Sequence, residues 1–312
     1  MDKICISTIC SLNYFGTAVG LVESAIRFHP DADYFIFIVD RSSDEDVYGK
    51  IEEIKGRAHV VWIEDLAIPE LSDMAKKYSV VEMNTAVKPI LLKYLISARQ
   101  YDKVFYIDPD IRLFGEMSEA IHLLDTLSVL LTPHLIGPEE DEDTELSSLD
   151  NFLQYGVYNL GFLALKNDLN SEKLLNWWHS KLVDKCYFRP EQFLAWDQKW
   201  MDFAPALFDR VHILRSPGYN MAFWNLQRRT VTRHADRFMV NGAHLLVFYH
   251  FSHYKRETGE YIADLNDPGQ SLVKISSRPD LSPLFEYYNQ TLTTINHNFF
   301  SSIKYNLSVT VR

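Results

Sequence analysis

Cysteine is scarce in this chain. Cys5, Cys10 and Cys186 are spread over 312 positions with no CxxC pair. That argues against a disulfide framework or a zinc site and points to buried, reduced thiols. Long apolar runs are also missing, since none reaches the roughly 18–20 residues needed to span a bilayer. The opening MDKICISTIC has no basic stretch followed by a long apolar one. No secretory signal is read there, and a cytoplasmic protein is the simplest expectation. Basic charge is in deficit, with 31 Lys and Arg against 42 Asp and Glu, for a formal net charge of −11. This disfavours non-specific binding to nucleic acid or to an anionic membrane surface. No Ser/Gly linker, internal repeat or low-complexity tract divides the chain.

What is present is an ordinary globular composition, 47% hydrophobic and 23% charged, enough for one large core. Aromatic residues are plentiful, with 19 Phe, 17 Tyr and 6 Trp; such rings fill cores and also stack on sugars and nucleobases. The acidic run EEDEDTE at 139–145 reads as a solvated loop. Sequons at Asn289 and Asn306 carry little meaning without a secretory signal.

In the first half, strands are expected at 3–9, 34–39, 59–63 and 104–107. Helices are expected at 17–28, 44–54, 70–77 and 85–97, with Ser43 or Asp44 as an N-cap and Pro89 setting the start of the last near Val87 or Lys88. Continuous apolar strands alternating with helices argue for an α/β sheet covered on both faces. Ligands of such sheets bind beyond the carboxyl ends of the strands. Asn13, Tyr14, Asp40 and Asp108 all fall at such ends. Further strands are expected at 127–132, 159–165 and 245–250, forming a mixed-sheet half that supplies the acceptor side. A helix is expected at 282–296. Residues 1–260 are read as one catalytic domain and 261–312 as a partly helical extension, a candidate for self-association.

The most informative stretch is VFYIDPDIRLF at 104–114. The apolar run ends in Asp108-Pro109-Asp110. Residues two apart in extended chain point to one side, so the two carboxylates converge. Pro109 fixes its own φ and stops the strand ladder. Paired carboxylates repel unless a cation lies between them, and hard oxygen ligands suit Mg²⁺ or Mn²⁺ with a substrate diphosphate completing the shell.

The order of elements resembles that of nucleotide-sugar-dependent GT-A-fold glycosyltransferases of the family 8 type, which includes glycogenin and bacterial lipopolysaccharide galactosyltransferases. Short matches run in order over about residues 3–254: Asn13-Tyr14, TAVKPILLKYL with YDKVFYIDPD, YNLGFLALKN, WDQKWMDF and VFYHFSHYK. The resemblance implies that Asn13 and Tyr14 contact the nucleobase and that Lys88 reaches the donor diphosphate or sugar. It places Asn159 and Gly161 beside the donor sugar, and Asp197 and Gln198 near the reacting carbon. It makes His250 the third metal ligand with Asp108 and Asp110. Where the family often has Gly and then Lys-Pro-Trp, this chain has Ser252-His253-Tyr254-Lys255. A diphosphate role for Lys255 is therefore open, as is the choice between His250 and His253. Asp197 could serve a retaining reaction with Gln198, or act as general base in an inverting one; the resemblance favours retention.

The expected activity is metal-dependent transfer of a hexose from a nucleotide-sugar, a UDP-sugar in the first instance, to a saccharide or glycoprotein acceptor in polysaccharide biosynthesis. A non-catalytic GT-A domain that binds sugar nucleotides or serves in assembly is the alternative. A DxD phosphatase fits less well, because its motif follows the first strand. A nucleotidyltransferase would carry a Gly-rich loop there, and SLNYFGTAVG is a poor one. His134 reads as a loop histidine or an acceptor-side residue, and Tyr219-Asn220 as an acceptor-cleft candidate. Trp177, Trp178, Phe223 and Trp224 read as core.

Overall fold

The computed structural model describes residues 2–54, 56–141, 149–256, 259–265, 273–295 and 297–306. Most of the expected acidic run therefore lies outside the described residues, as does the Asn306 sequon beyond its first residue.

In chain order, the first half contains β1 (Ile4–Cys10), α1 (Phe15–Ile26), β2 (Asp33–Ile38), α2 (Glu45–Glu52), β3 (His59–Trp62), α3 (Leu71–Lys77), α4 (Val80–Ala86), α5 (Lys88–Lys93), β4 (Lys103–Ile107) and β5 (Ile111–Leu113). Then come α6 (Ser118–Leu123), β6 (Val129–Pro133), α7 (Leu149–Tyr155), β7 (Tyr158–Lys166), α8 (Leu169–Lys185), β8 (Phe188–Arg189), β9 (Leu194–Ala195), α9 (Gln198–Met201), α10 (Ala204–Leu207) and β10 (Val211–Ile213). Four short strands and two helices follow: β11 (Val231–His234), β12 (Arg237–Val240), β13 (His244–Leu245), β14 (Phe248–His250), α11 (Ser282–Thr294) and α12 (His297–Ser301).

Seven strands form one sheet in the order β10-β6-β7-β4-β1-β2-β3. β3, β2, β1 and β4 run parallel, whereas β7 is antiparallel to both β4 and β6. The order turns back between β1 and β4, and that reversal opens a crevice at the strands' carboxyl ends. Core clusters cover the sheet on both faces, which is why its strands read as unbroken apolar runs.

Two expected elements divide. The stretch 85–97 belongs to three pieces. Ser79 and Glu82 form a capping box that starts α4; Pro89 sits in the first turn of α5, and a π-helical turn, Tyr94–Ala98, ends it. The expected strand at 245–250 separates into β13, paired with β12, and β14, paired with β5. Leu246 and Val247 carry the chain from one ribbon to the other.

α11 packs into the same core as α1 through Leu284, Phe285, Tyr288 and Leu292. The three cysteines are buried and free. Among the described residues no helix is long and apolar enough to cross a membrane.

Candidate active site

β4 delivers Asp108 to the crevice, and its backbone N–H donates to Gly161 O of β7 at 2.8 Å. Three residues on, β5 pairs antiparallel with β14 in a register that sets His250 opposite Ile111. Phe251 N–H donates to Asp110 O at 3.0 Å, so this ribbon locks the far end of the chain onto the DPD turn. His250 Nε2 consequently lies 3.0 Å from Asp110 Oδ1 and 4.0 Å from Asp108 Oδ2. One ligand atom from each of Asp108, Asp110 and His250 falls within 4.8 Å of the others. Among the described residues no other His, Cys, Asp or Glu group converges in this way, and His253 is outside it.

Burial pushes the Asp108 carboxyl up. Burial acts on Asp110 in the same sense, but the charge and hydrogen bond of His250 overcome it and hold that carboxyl low. His250 is raised in turn, chiefly by Asp110, against the burial that opposes its charging. Two carboxylates and one imidazole fit a small divalent cation of the Mn²⁺ or Mg²⁺ kind, the nitrogen suiting Mn²⁺ better. Gly161 is what makes room for the imidazole. A Cβ there would stand 2.7 Å from His250 Cε1 and 2.8 Å from Asn159 Oδ1.

Behind the carboxylates lies a buried polar chain. Tyr106, two residues before Asp108 and on its side of the strand, donates its OH to Asp108 Oδ1 at 2.5 Å. Lys88 Nζ lies 4.3 Å from the centre of the Tyr106 ring, donates to Leu160 O at 3.0 Å and stands 2.6 Å from Asp197 Oδ2. Trp178 Nε1 donates to Asp197 O at 3.1 Å, which fixes that residue's backbone. Asp197 precedes α9, and Gln198 Nε2 donates to Tyr155 O at 2.9 Å.

Asn159 belongs to a second network. Its Oδ1 accepts from Gly161 N and from Asn220 Nδ2, each at 3.1 Å. Its Nδ2 faces His134 Nε2 at 3.4 Å, while His134 Nδ1 bonds Val157 O at 3.2 Å. His134 follows β6 in a bend, as a loop histidine would, but it is not solvated. It is buried, stacked on Phe152 with ring centres 4.5 Å apart, and burial pushes its pKa down to about 4. Asn220, with φ +51, also donates to Thr132 Oγ1 at 3.1 Å, whereas Tyr219 is a core residue. Asn220 Oδ1, Trp224 Nε1 and His250 Nδ1 are buried without a partner, and such atoms call for one.

The remaining expected residues are not members of the Asp108–Asp110–His250 cluster. Asn13 accepts from Ser11 Oγ at 2.5 Å, and Tyr14 is half exposed after β1. Asp40, at the end of β2, accepts from Leu12 N at 2.7 Å and from the backbone of Asn306. It therefore clasps the β1 loop to the end of the described chain. Lys255 pairs with Asp264 at 3.1 Å. Sequence reasoning passed over Tyr106 and Arg112. The first could have been found from its two-residue spacing to Asp108. The second, buried under α11, left no local signal. Arg112 Nη1 donates to Pro109 O at 2.9 Å, and its guanidinium lies 4.7 Å from the centre of the Tyr288 ring.

The sheet order, the crevice and the DPD turn define the GT-A fold of glycosyltransferases. The galactosyltransferase LgtC, in complex with donor and acceptor sugar analogues, superposes over 94% of this chain and 96% of its own at TM-score 0.53 and 14% identity. The bifunctional glycosyltransferase WbbM superposes at TM-score 0.46 and 15% identity over 71% of this chain, which spans 40% of its length. The uncharacterized protein YfnF of Bacillus subtilis (strain 168) is 27% identical over 92% of this chain and 91% of its own length. No protein-family pattern matches the chain.

Proposed function

We propose that the protein is a metal-dependent glycosyltransferase that moves a hexose from a nucleotide-sugar, a UDP-sugar in the first instance, to a saccharide or glycoprotein acceptor with retention. The observation that carries this reading is the meeting of Asp108, Asp110 and His250 at the crevice between β1 and β4. The fold shared with LgtC supports it.

Asp108, Asp110 and His250 would hold Mn²⁺ or Mg²⁺, which when bound supplies Lewis-acid stabilisation to a departing diphosphate. Asn13 and Tyr14, which follow β1, would contact the nucleobase. Lys88, expected to reach the donor itself, is buried in an ion pair with Asp197 and would act by holding that carboxylate in place. The unpartnered Asn220 Oδ1 and Trp224 Nε1 offer an acceptor and a donor to sugar hydroxyls. Asn159 orients Asn220. Gln198, anchored on Tyr155, stands next to Asp197 for the approach of the acceptor.

Donor hydrolysis tests the reading without knowledge of the acceptor. Purified protein is incubated with UDP-, GDP- and CDP-sugars and Mn²⁺, with and without chelator, beside Asp110→Ala. Metal-dependent release of one nucleotide, lost in the variant, is the expected result. Silence across the panel together with no metal-dependent nucleotide binding would overturn it in favour of a non-catalytic domain.

A further inference from the structure

Immediately before Asp197 the chain makes the short β8–β9 hairpin, with Phe188 paired to Ala195 and Arg189 to Leu194. Phe193 (φ +60) and Trp196 (φ +48) both lie in the left-handed region, an uncommon place for bulky aromatic residues. Strain of this kind persists only where the surroundings enforce it, and it gathers at functional sites. Here Trp196 N–H donates to Tyr187 O at 3.0 Å and fixes the turn.

The outcome is a ledge of parallel rings. Phe188 and Trp196 stack with centres 4.3 Å apart and planes 14° apart. Tyr155, from α7, joins them at 5.6 and 6.3 Å with interplanar angles of 4° and 10°. None of the three is fully buried, and Phe188 keeps 37% of its surface exposed. The ledge is tied to the centre twice. Trp196 adjoins Asp197 in sequence, and Tyr155 O accepts from Gln198 Nε2.

Core packing alone does not call for a stack of three near-parallel aromatic rings that stays in contact with water. A hexopyranose matches the water-facing side of such a stack, where Phe188 is exposed, because its axial C–H bonds form one flat apolar face while its hydroxyls project around the rim. The phosphates and base of a donor would be held elsewhere, at Asp108, Asp110 and His250 and after β1. The stack is joined instead to Asp197 and Gln198, by the chain at Trp196 and by the hydrogen bond to Tyr155 O. We propose that Tyr155, Phe188 and Trp196 form the stacking subsite for the acceptor, a hexopyranose unit of a saccharide. This rests on the glycosyl-transfer reading above.

Saturation-transfer NMR on the full-length protein tests it. The probes are methyl β-D-galactopyranoside, methyl β-D-glucopyranoside, methyl α-D-mannopyranoside, lactose and maltose, with donor hydrolysis measured on the same preparation. At least one sugar should receive saturation chiefly at its axial ring protons. Its affinity should fall about tenfold in Phe188→Ala and return in Phe188→Tyr. No binding by any of the five to the wild-type protein, or unchanged affinity in Phe188→Ala, would overturn the subsite. Donor hydrolysis without sugar binding removes the subsite alone. Absence of both removes the transferase reading with it.

Discussion

Lys88 and Asp197 form an ion pair of 2.6 Å with side chains only 2% and 5% exposed. One stands at the start of α5 and the other before α9, and the pair joins the helix beside β4 to the segment that carries Gln198. Removing either partner leaves a buried charge without its counterpart. Lys88→Met and Asp197→Leu should each lower stability by about 3–5 kcal/mol, and the double variant should recover much of that loss. Urea unfolding of the three variants measures it. Additive losses in the double variant would show that the two charges act separately.

Gly161→Ala tests the packing around the Asp108–Asp110–His250 cluster. The new Cβ would displace the imidazole of His250 or the amide of Asn159. Mn²⁺ affinity, followed by the loss of the free-ion EPR signal, should weaken by roughly 10–100-fold while the fold persists. An unchanged affinity would show that the added Cβ does not disturb a metal ligand, either because Asn159 yields in place of His250 or because His250 does not bind the ion.

Asp40 gives stability a pH dependence of its own. Burial raises its pKa from the ordinary 3.8 to about 6, against the hydrogen bonds that favour its charged form. Between those values the native state binds more protons than the unfolded chain. Its contribution is complete below about pH 4 and is lost as the pH climbs through about 6, amounting to about 3 kcal/mol at most. Urea unfolding at a series of pH values should show this slope in the wild type and its absence in Asp40→Asn. Parallel curves for the two proteins would remove the assignment.

Tyr288 and Arg112 couple α11 to the DPD turn. Tyr288→Ala should cost about 3–5 kcal/mol as a core truncation. It should also weaken Mn²⁺ binding, because the guanidinium that bonds Pro109 O loses the ring beneath it. A stability loss with unaltered Mn²⁺ affinity would show that the helix supports the core without supporting the turn.

The legible parts of this molecule were those written in short-range pattern. β4 and its DPD turn, β1, β2 and the helices between them follow from apolar runs, caps and spacing. The capping box of Ser79 and Glu82 was equally readable, and it moves the helix start back from residue 85. What sequence could not supply was meetings across the fold. The Lys88–Asp197 pair, the burial of His134 on Phe152 and the Asn159–Asn220 bond join residues far apart in the chain, with no local signature of their partners. His250 was reachable through resemblance alone, since its place depends on the pairing of β14 with β5. A one-residue slip in that pairing would turn the imidazole to the other face.

That last dependence bears on how the protein is made. The two carboxylates leave the ribosome about 140 residues before the histidine that completes their cluster. Until the β5–β14 ribbon closes, a nascent chain has at most a half-built cation site and can hold an ion only weakly. On the metal-dependent reading proposed above, metal capture would therefore follow closure of that ribbon, and products truncated before His250 should compete poorly with the longer chain for the ion.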